Sequence, residues 1–228
     1  WKHIPGKIIK DKWGDKPVII NSRGFRIGPD EAIETGSGPG GRKTVIAAGD
    51  SFTFGHGVGG EEAWPARLEE KLGSAGWKVI NTGACGYGLD QIYLWLKEEI
   101  PRIRPDIVIL GLINDDIRRT SLYRWASGYG RPRFKIYFDR LNLTNVPVPK
   151  KLNIGDGYRR WKNIILDQYK SYFLDFILKR LGSTRAGRVI CGPWGRESIM
   201  ISEKIILALH DLCRKYGAEL IIAVIPKR

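Results

Sequence analysis

A serine stands directly behind a short apolar run: Thr44-Val-Ile-Ala-Ala48 is followed by Gly49-Asp50-Ser51-Phe52-Thr53-Phe54-Gly55. In a parallel sheet, the turn leaving a strand opens onto the crevice where ligands bind. A serine opening a helix at that turn exposes its hydroxyl, and its N–H points outward near the positive end of the helix dipole. Ser51 is therefore a candidate nucleophile, although Asp50 and Ser51 are also good helix caps. Asn81-Thr-Gly83-Ala-Cys-Gly86-Tyr-Gly88 follows a second apolar run. Its glycines, Gly86 among them, either let a backbone N–H approach a ligand or simply make a turn. Gly111-Leu-Ile-Asn114-Asp115 follows a third run, and Asn114 offers a side-chain amide donor or an Asx turn. Each segment is weak evidence alone. All three fall where one parallel sheet would bring them together.

A serine nucleophile needs a base within hydrogen-bond reach. The histidines are His3, His56 and His210. His3 lies in a loose N-terminal stretch, and His210 belongs to an amphipathic helix remote from the strand ends. His56 is expected to rise along the helix begun by Ser51 and to point away from the hydroxyl.

The elements that must position these residues follow a simple order. Thr44–Ala48, Trp77–Asn81 and Asp106–Leu110 read as buried strands. Residues 62–72 carry Trp64, Leu68 and Leu72 at helical spacing. Leu89, Ile92, Leu96 and Ile100 mark a second helix, stopped by Pro101. This alternation predicts βαβ units in a three-layer α/β/α, flavodoxin-like domain with a parallel central sheet. A single domain over 1–228 is expected. Residues 1–43 read as an irregular N-terminal extension, and residues 118–190 as an insertion. Within the insertion, 134–138 and 141–148 form a hairpin turning at Asp139-Arg140. Residues 158–181 form a long helix striped with Trp161, Ile165, Tyr172 and Phe176, which is either core packing or a lid or membrane-surface face. A helix over 198–216 and a fourth parallel strand over 219–225 complete the pattern.

Thirty-eight Lys and Arg against 24 Asp and Glu give +14, which favours an acidic polymer or an anionic surface as partner. The basic residues are spread out, with only short clusters such as Arg131-Pro-Arg133 and Tyr158-Arg-Arg160, so a specific nucleic-acid site is not expected. Cys85, Cys191 and Cys213 are odd in number and lack metal-binding spacing, consistent with buried free thiols. No run is long enough and apolar enough to span a membrane. Gly55-His-Gly57-Val-Gly-Gly60 fits Gly-x-Gly-x-x-Gly, but it sits several residues past the strand, and Asn81 replaces the ribose-binding acid of a dinucleotide site.

Taken in order, Gly49–Gly55, Asn81–Gly86 and Gly111–Asp115 resemble the first three signature blocks of the SGNH/GDSL hydrolases, and Asn21-Ser-Arg-Gly-Phe-Arg26 resembles a segment of one bacterial branch. The direct match covers residues 18–117. The resemblance implies an ester hydrolase working through an acyl-enzyme on Ser51, without metal or organic cofactor. It also implies an oxyanion hole made by the N–H of Ser51, the N–H of Gly86 and the carboxamide of Asn114. The implied substrate is a small-molecule, carbohydrate or lipid ester, which the basic, aromatic insertion would help select. This sequence departs from the pattern in two respects. The third block has one residue more before Asn114, and the Asp-x-x-His segment that supplies the family's base is absent. That segment is expected beyond Arg228, the C-terminal part of the fold being missing. The alternative is a non-catalytic carbohydrate-binding or interaction protein that keeps the fold.

Overall fold

The computed structural model describes residues 2–10, 15–30, 43–122, 125, 129–150 and 185–226, with side chains from 196 onward in the last span. The predicted 158–181 helix, its aromatic stripe and Cys191 therefore lie outside the described residues. The chain divides into two compact units. Trp1–Arg119 with Glu203–Arg228 form the first, and Thr120–Ser202, close to the expected insertion, form the second.

The first unit begins with three short strands, β1 (Ile8–Lys10), β2 (Pro17–Ile20) and β3 (Arg26–Ile27). They correct the expectation of an irregular extension over 1–43. At two to four residues each, they are too short to carry a readable periodicity, and only pairing partners make them strands. The turn between β2 and β3 is built by Asn21, whose Oδ1 accepts the backbone N–H of Arg23 at 3.0 Å and of Phe25 at 2.9 Å. Then come β4 (Lys43–Gly49), α1 (Ser51–Phe54), α2 (Trp64–Leu72), β5 (Trp77–Asn81), α3 (Leu89–Ile103), β6 (Ile107–Leu112) and α4 (Asn114–Arg119).

Pro101 does not stop α3, which runs two residues further to Ile103 and closes with Arg104 at φ 50°, its N–H bonded to the Ile100 carbonyl. A proline so near the end removes a single helical donor, a smaller loss than in a helix interior.

The second unit contains the hairpin β7 (Arg133–Tyr137) and β8 (Arg140–Thr144), close to the predicted bounds. The long helix α5 (Arg185–Lys215) starts in this unit and, from Glu203, belongs to the first. It begins well before the predicted 198, running through Gly187, Gly192 and Pro193. β9 (Glu219–Val224) follows.

Among the described residues the first unit holds a sheet of order β1-β2-β3-β5-β4-β6-β9. β5, β4, β6 and β9 pair in parallel, with Ile46 opposite both Ile80 and Val108, and Leu110 opposite Ile222. The three N-terminal strands add antiparallel ladders beyond β5, so the sheet is mixed rather than purely parallel. Val45, Ala47 and Val79 pack beneath Trp64 and Leu68 of α2. Ile46, Ala48, Val108 and Leu110 alternate to the opposite face and are fully buried. β5 and β6 lie on opposite sides of β4. Right-handed crossovers to each therefore set α2 and α3 on opposite faces, which makes the three layers.

Candidate active site

Ser51, Gly86 and Asn114 follow the C-terminal ends of β4, β5 and β6, three adjacent strands. In Ser51's case the structure separates capping from chemistry. Asp50 is the N-cap of α1, its Oδ1 accepting the Phe52 N–H at 2.9 Å. Ser51 is the first helical residue, half-buried, and its Oγ donates to Asp50 Oδ2 at 3.3 Å. The hydroxyl is not spent on closing the helix end.

Gly86 occupies the third position of the turn closed by the Tyr87 N–H and the Ala84 carbonyl at 3.1 Å. Its φ of 78° is the left-handed value that a type II turn requires there. The turn bond uses Tyr87's N–H and leaves that of Gly86 out of it. Three residues earlier, Gly83 lets this loop press against α1. A Cβ on Gly83 would overlap the backbone nitrogen of Phe54. Asn81 ties the same two segments, donating from Nδ2 to the Thr53 carbonyl at 3.0 Å and accepting the Gly83 N–H at 2.9 Å.

Asn114 opens α4 and is exposed. The reach-back to the chain before the helix is made by Asp116, whose Oδ2 accepts the Ile113 N–H at 3.0 Å. The carboxamide of Asn114 is left facing solvent.

The residue that binds these loops is one that sequence reading passed over. Arg119 Nη1 donates to Asp50 Oδ2 at 3.0 Å, to Asp116 Oδ1 at 2.8 Å and to the Tyr87 carbonyl at 2.8 Å. One nitrogen thus touches the loop of Ser51, the loop of Gly86 and the helix of Asn114. Both carboxyls are buried, Asp50 to 1% exposure. Burial, with the Asp50 charge nearby, pushes the Asp116 carboxyl up to about 7. The only signal in the sequence was an arginine five residues after Asn114, ordinary in the last turn of a helix.

Further bracing comes from the N-terminal strands. Arg26 is buried, donating to the carbonyls of Pro17 at 3.2 Å and Val58 at 3.1 Å, with its guanidinium 5.2 Å from the Phe54 ring centroid. Val18, Ile20 and Phe54 form one apolar cluster with Cys85, which is half-buried rather than buried. The Asn21–Arg26 segment therefore steadies α1 and the approach to Gly86.

Among the described residues no histidine side chain is bonded to Ser51 Oγ, which donates to Asp50; the contact of His56 with Ser51 is its backbone N–H on the Ser51 carbonyl at 3.0 Å. His3 is not in a loose extension: it packs 5.0 Å from the Phe54 ring and 5.6 Å from Trp95, bonds the Gly24 carbonyl at 3.2 Å, and burial lowers its pKa. His56 does not ride the helix of Ser51, because α1 ends at Phe54 and Gly55 turns the chain at φ 80°; its side chain is exposed. His210 is exposed on α5, 3.5 Å from Asp211.

A cleft of about 370 Å³ also occurs in the first unit, lined by Arg26, Asp30, Arg67, Glu69 and Asn81 among others. Ser51, Gly86 and Asn114 do not line it. Among the described residues, no group of His, Cys, Asp and Glu is arranged to hold a metal, and no helix is long and apolar enough to cross a membrane.

No family model and no curated protein matches the chain. Among solved structures it is similar to TesA, at 24% identity over 34% of this chain and 44% of that one, with a TM-score of 0.32. It is also similar to AlinE4, an SGNH-hydrolase family esterase, at 20% identity over 80% of this chain and 77% of that one, TM-score 0.34. A catalytic mutant of Axe2, an acetylxylan esterase from Geobacillus stearothermophilus, matches at 14% identity over 79% and 75%, TM-score 0.28. These are likenesses of fold.

Proposed function

We propose that this chain is a serine ester hydrolase of the SGNH/GDSL type, with Ser51 as nucleophile. The observation that supports it most is the Arg119 contact set, which holds the loops bearing a half-buried serine hydroxyl, a left-handed glycine and a solvent-facing carboxamide to one nitrogen. In this reading Ser51 Oγ attacks the ester carbonyl carbon and the alcohol leaves, giving an acyl-serine that water then hydrolyses. Negative charge collects on the carbonyl oxygen during attack. The N–H groups of Ser51 and Gly86 and the amide of Asn114 are the donors that would receive it. Preorganised donors of this kind are typically worth about 10²–10³ in rate each.

The proton of Ser51 needs a base, and among the described residues Ser51 Oγ is bonded to Asp50 rather than to an imidazole. That bond favours a second reading, a binding protein that keeps the fold without the chemistry.

Labelling with a fluorophosphonate, followed by peptide mass spectrometry with and without added imidazole, separates the two. The hydrolase reading expects modification at Ser51, loss of it in Ser51→Ala, and turnover of a short acyl p-nitrophenyl ester that imidazole accelerates. A chain that stays unlabelled and inert under both conditions is the binding protein, and the hydrolase reading fails.

A further inference from the structure

The positive charge is not spread evenly over the two units. Residues 120–202 hold sixteen Lys and Arg against five Asp and Glu, a net +11 of the chain's +14. Within this unit the β7–β8 hairpin is two-faced. Its register pairs Phe134 with Leu143 and Ile136 with Leu141 on one side, and Lys135 with Asn142 and Tyr137 with Arg140 on the other.

The tip is unusual. Phe138 is 100% exposed, and Tyr137 beside it is 49% exposed. Phe138 and Asp139 sit at φ 48° and 62°, the two left-handed residues of a type I′ turn. Asn, Asp and Gly tolerate that conformation; a phenylalanine is strained in it. A bulky ring is thus held at backbone cost where none of the described residues covers it. Packing within the hairpin does not explain it.

We propose that the β7–β8 hairpin docks this protein on an anionic lipid bilayer. Phe138 enters the headgroup–acyl boundary, and Lys135, Arg140 and the positive field of the unit meet the lipid phosphates. Aromatic rings settle at that boundary, and basic side chains beside it are drawn to negative headgroups. Asp139, the hairpin's single acidic residue, occupies the turn position that needs a left-handed conformation. A soluble acidic polymer would account for the charge, but it offers no apolar phase to a fully exposed ring, so the bilayer is the better match. The proposal does not depend on the ester-hydrolase reading, and its test has no catalytic readout.

The test is co-sedimentation of the full chain with phosphatidylcholine vesicles, alone or mixed with phosphatidylglycerol. Binding to the mixed vesicles is expected, weakening as salt rises. Phe138→Asn, which places a favoured residue in the turn, is expected to keep or raise thermal stability while lowering vesicle affinity roughly 10–100-fold, the range that burial of one Phe side chain supplies. Phe138→Trp is expected to retain binding. The proposal is overturned if the Asn variant binds as tightly as the parent, if no vesicle is bound, or if the parent and the Asn variant both prefer soluble polygalacturonate to vesicles.

Discussion

The Asp50 Oδ2 atom that accepts the Ser51 hydroxyl at 3.3 Å also receives Arg119 Nη1 at 3.0 Å. The residue preceding Ser51 is therefore held from α4, the helix that begins with Asn114, and the geometry of the serine depends on an element two strands along in sequence.

Replacing Arg119 by Met removes the cation from between two buried carboxyls. Breaking a buried pair in this way costs about 3–5 kcal/mol, because the charge left behind has no compensation. Arg119→Lys restores charge with a shorter reach and is expected to recover part of that. Denaturant titration of both variants checks this, and loss of Ser51 labelling should accompany the Met variant even below its melting temperature. A Met variant as stable as the parent would show that the three contacts contribute little.

The pH dependence follows from Asp116. Its folded carboxyl lies near 7 against an ordinary 3.8, so between those values the folded state holds a proton that the unfolded state has lost. Stability from this group therefore falls as pH rises from about 4 to about 7 and is level above that. Asp116→Asn is uncharged throughout and can still accept the Ile113 N–H. Thermal melts across pH 4–8 should lose that component of the slope in the variant. An unchanged slope would place the titration elsewhere.

The parallel core could be read from the sequence because β4, β5, β6 and β9 each centre on a short apolar stretch and alternate with segments of helical spacing, the pattern of βαβ units. The same holds for Ser51, Gly86 and Asn114, which could be placed at strand ends by counting alone. What escaped was everything set by long-range pairing. Arg26 reads as a surface cation until β2 and β3 close around it. Arg119 and Asp116 look like an ordinary last-turn and first-turn pair on a short helix, and Asp50 lies 69 positions from Arg119. His56 lies beyond the helix of Ser51 because Gly55 ends it. The charge of the second unit was visible in composition, but appeared dispersed until unit boundaries divided it.

Gly83 provides a steric test of how closely α1 and the Gly86 loop must approach. Alanine there would drive its methyl into the backbone nitrogen of Phe54, which a rotamer change cannot relieve. Overpacking of this kind costs about 1–3 kcal/mol and shifts backbone. Gly83→Ala is expected to lower the melting temperature and to reduce Ser51 labelling together. Gly86→Ala should cost about 1–2 kcal/mol from its left-handed φ. Comparable melting temperatures for the parent and both variants would mean that the loop has room the geometry denies it.

Asn114 separates a chemical role from a structural one. It is exposed, and the bond back to Ile113 is made by Asp116 instead, so truncating it removes no support from α4. Asn114→Ala is therefore expected to leave the unfolding free energy within about 0.5 kcal/mol of the parent's, as for an ordinary surface substitution. If its amide receives developing negative charge, ester turnover falls by about 10²–10³, mainly in kcat, because a donor aimed at the transition state contributes little to substrate binding. Asn114→Asp keeps the shape and reverses the effect on an oxyanion, so it should be at least as damaging. Stopped or steady-state kinetics on an acyl p-nitrophenyl ester read both variants. An Asn114→Ala variant with the parent's kcat would remove Asn114 from the proposed oxyanion hole while leaving Ser51 to stand on its own labelling.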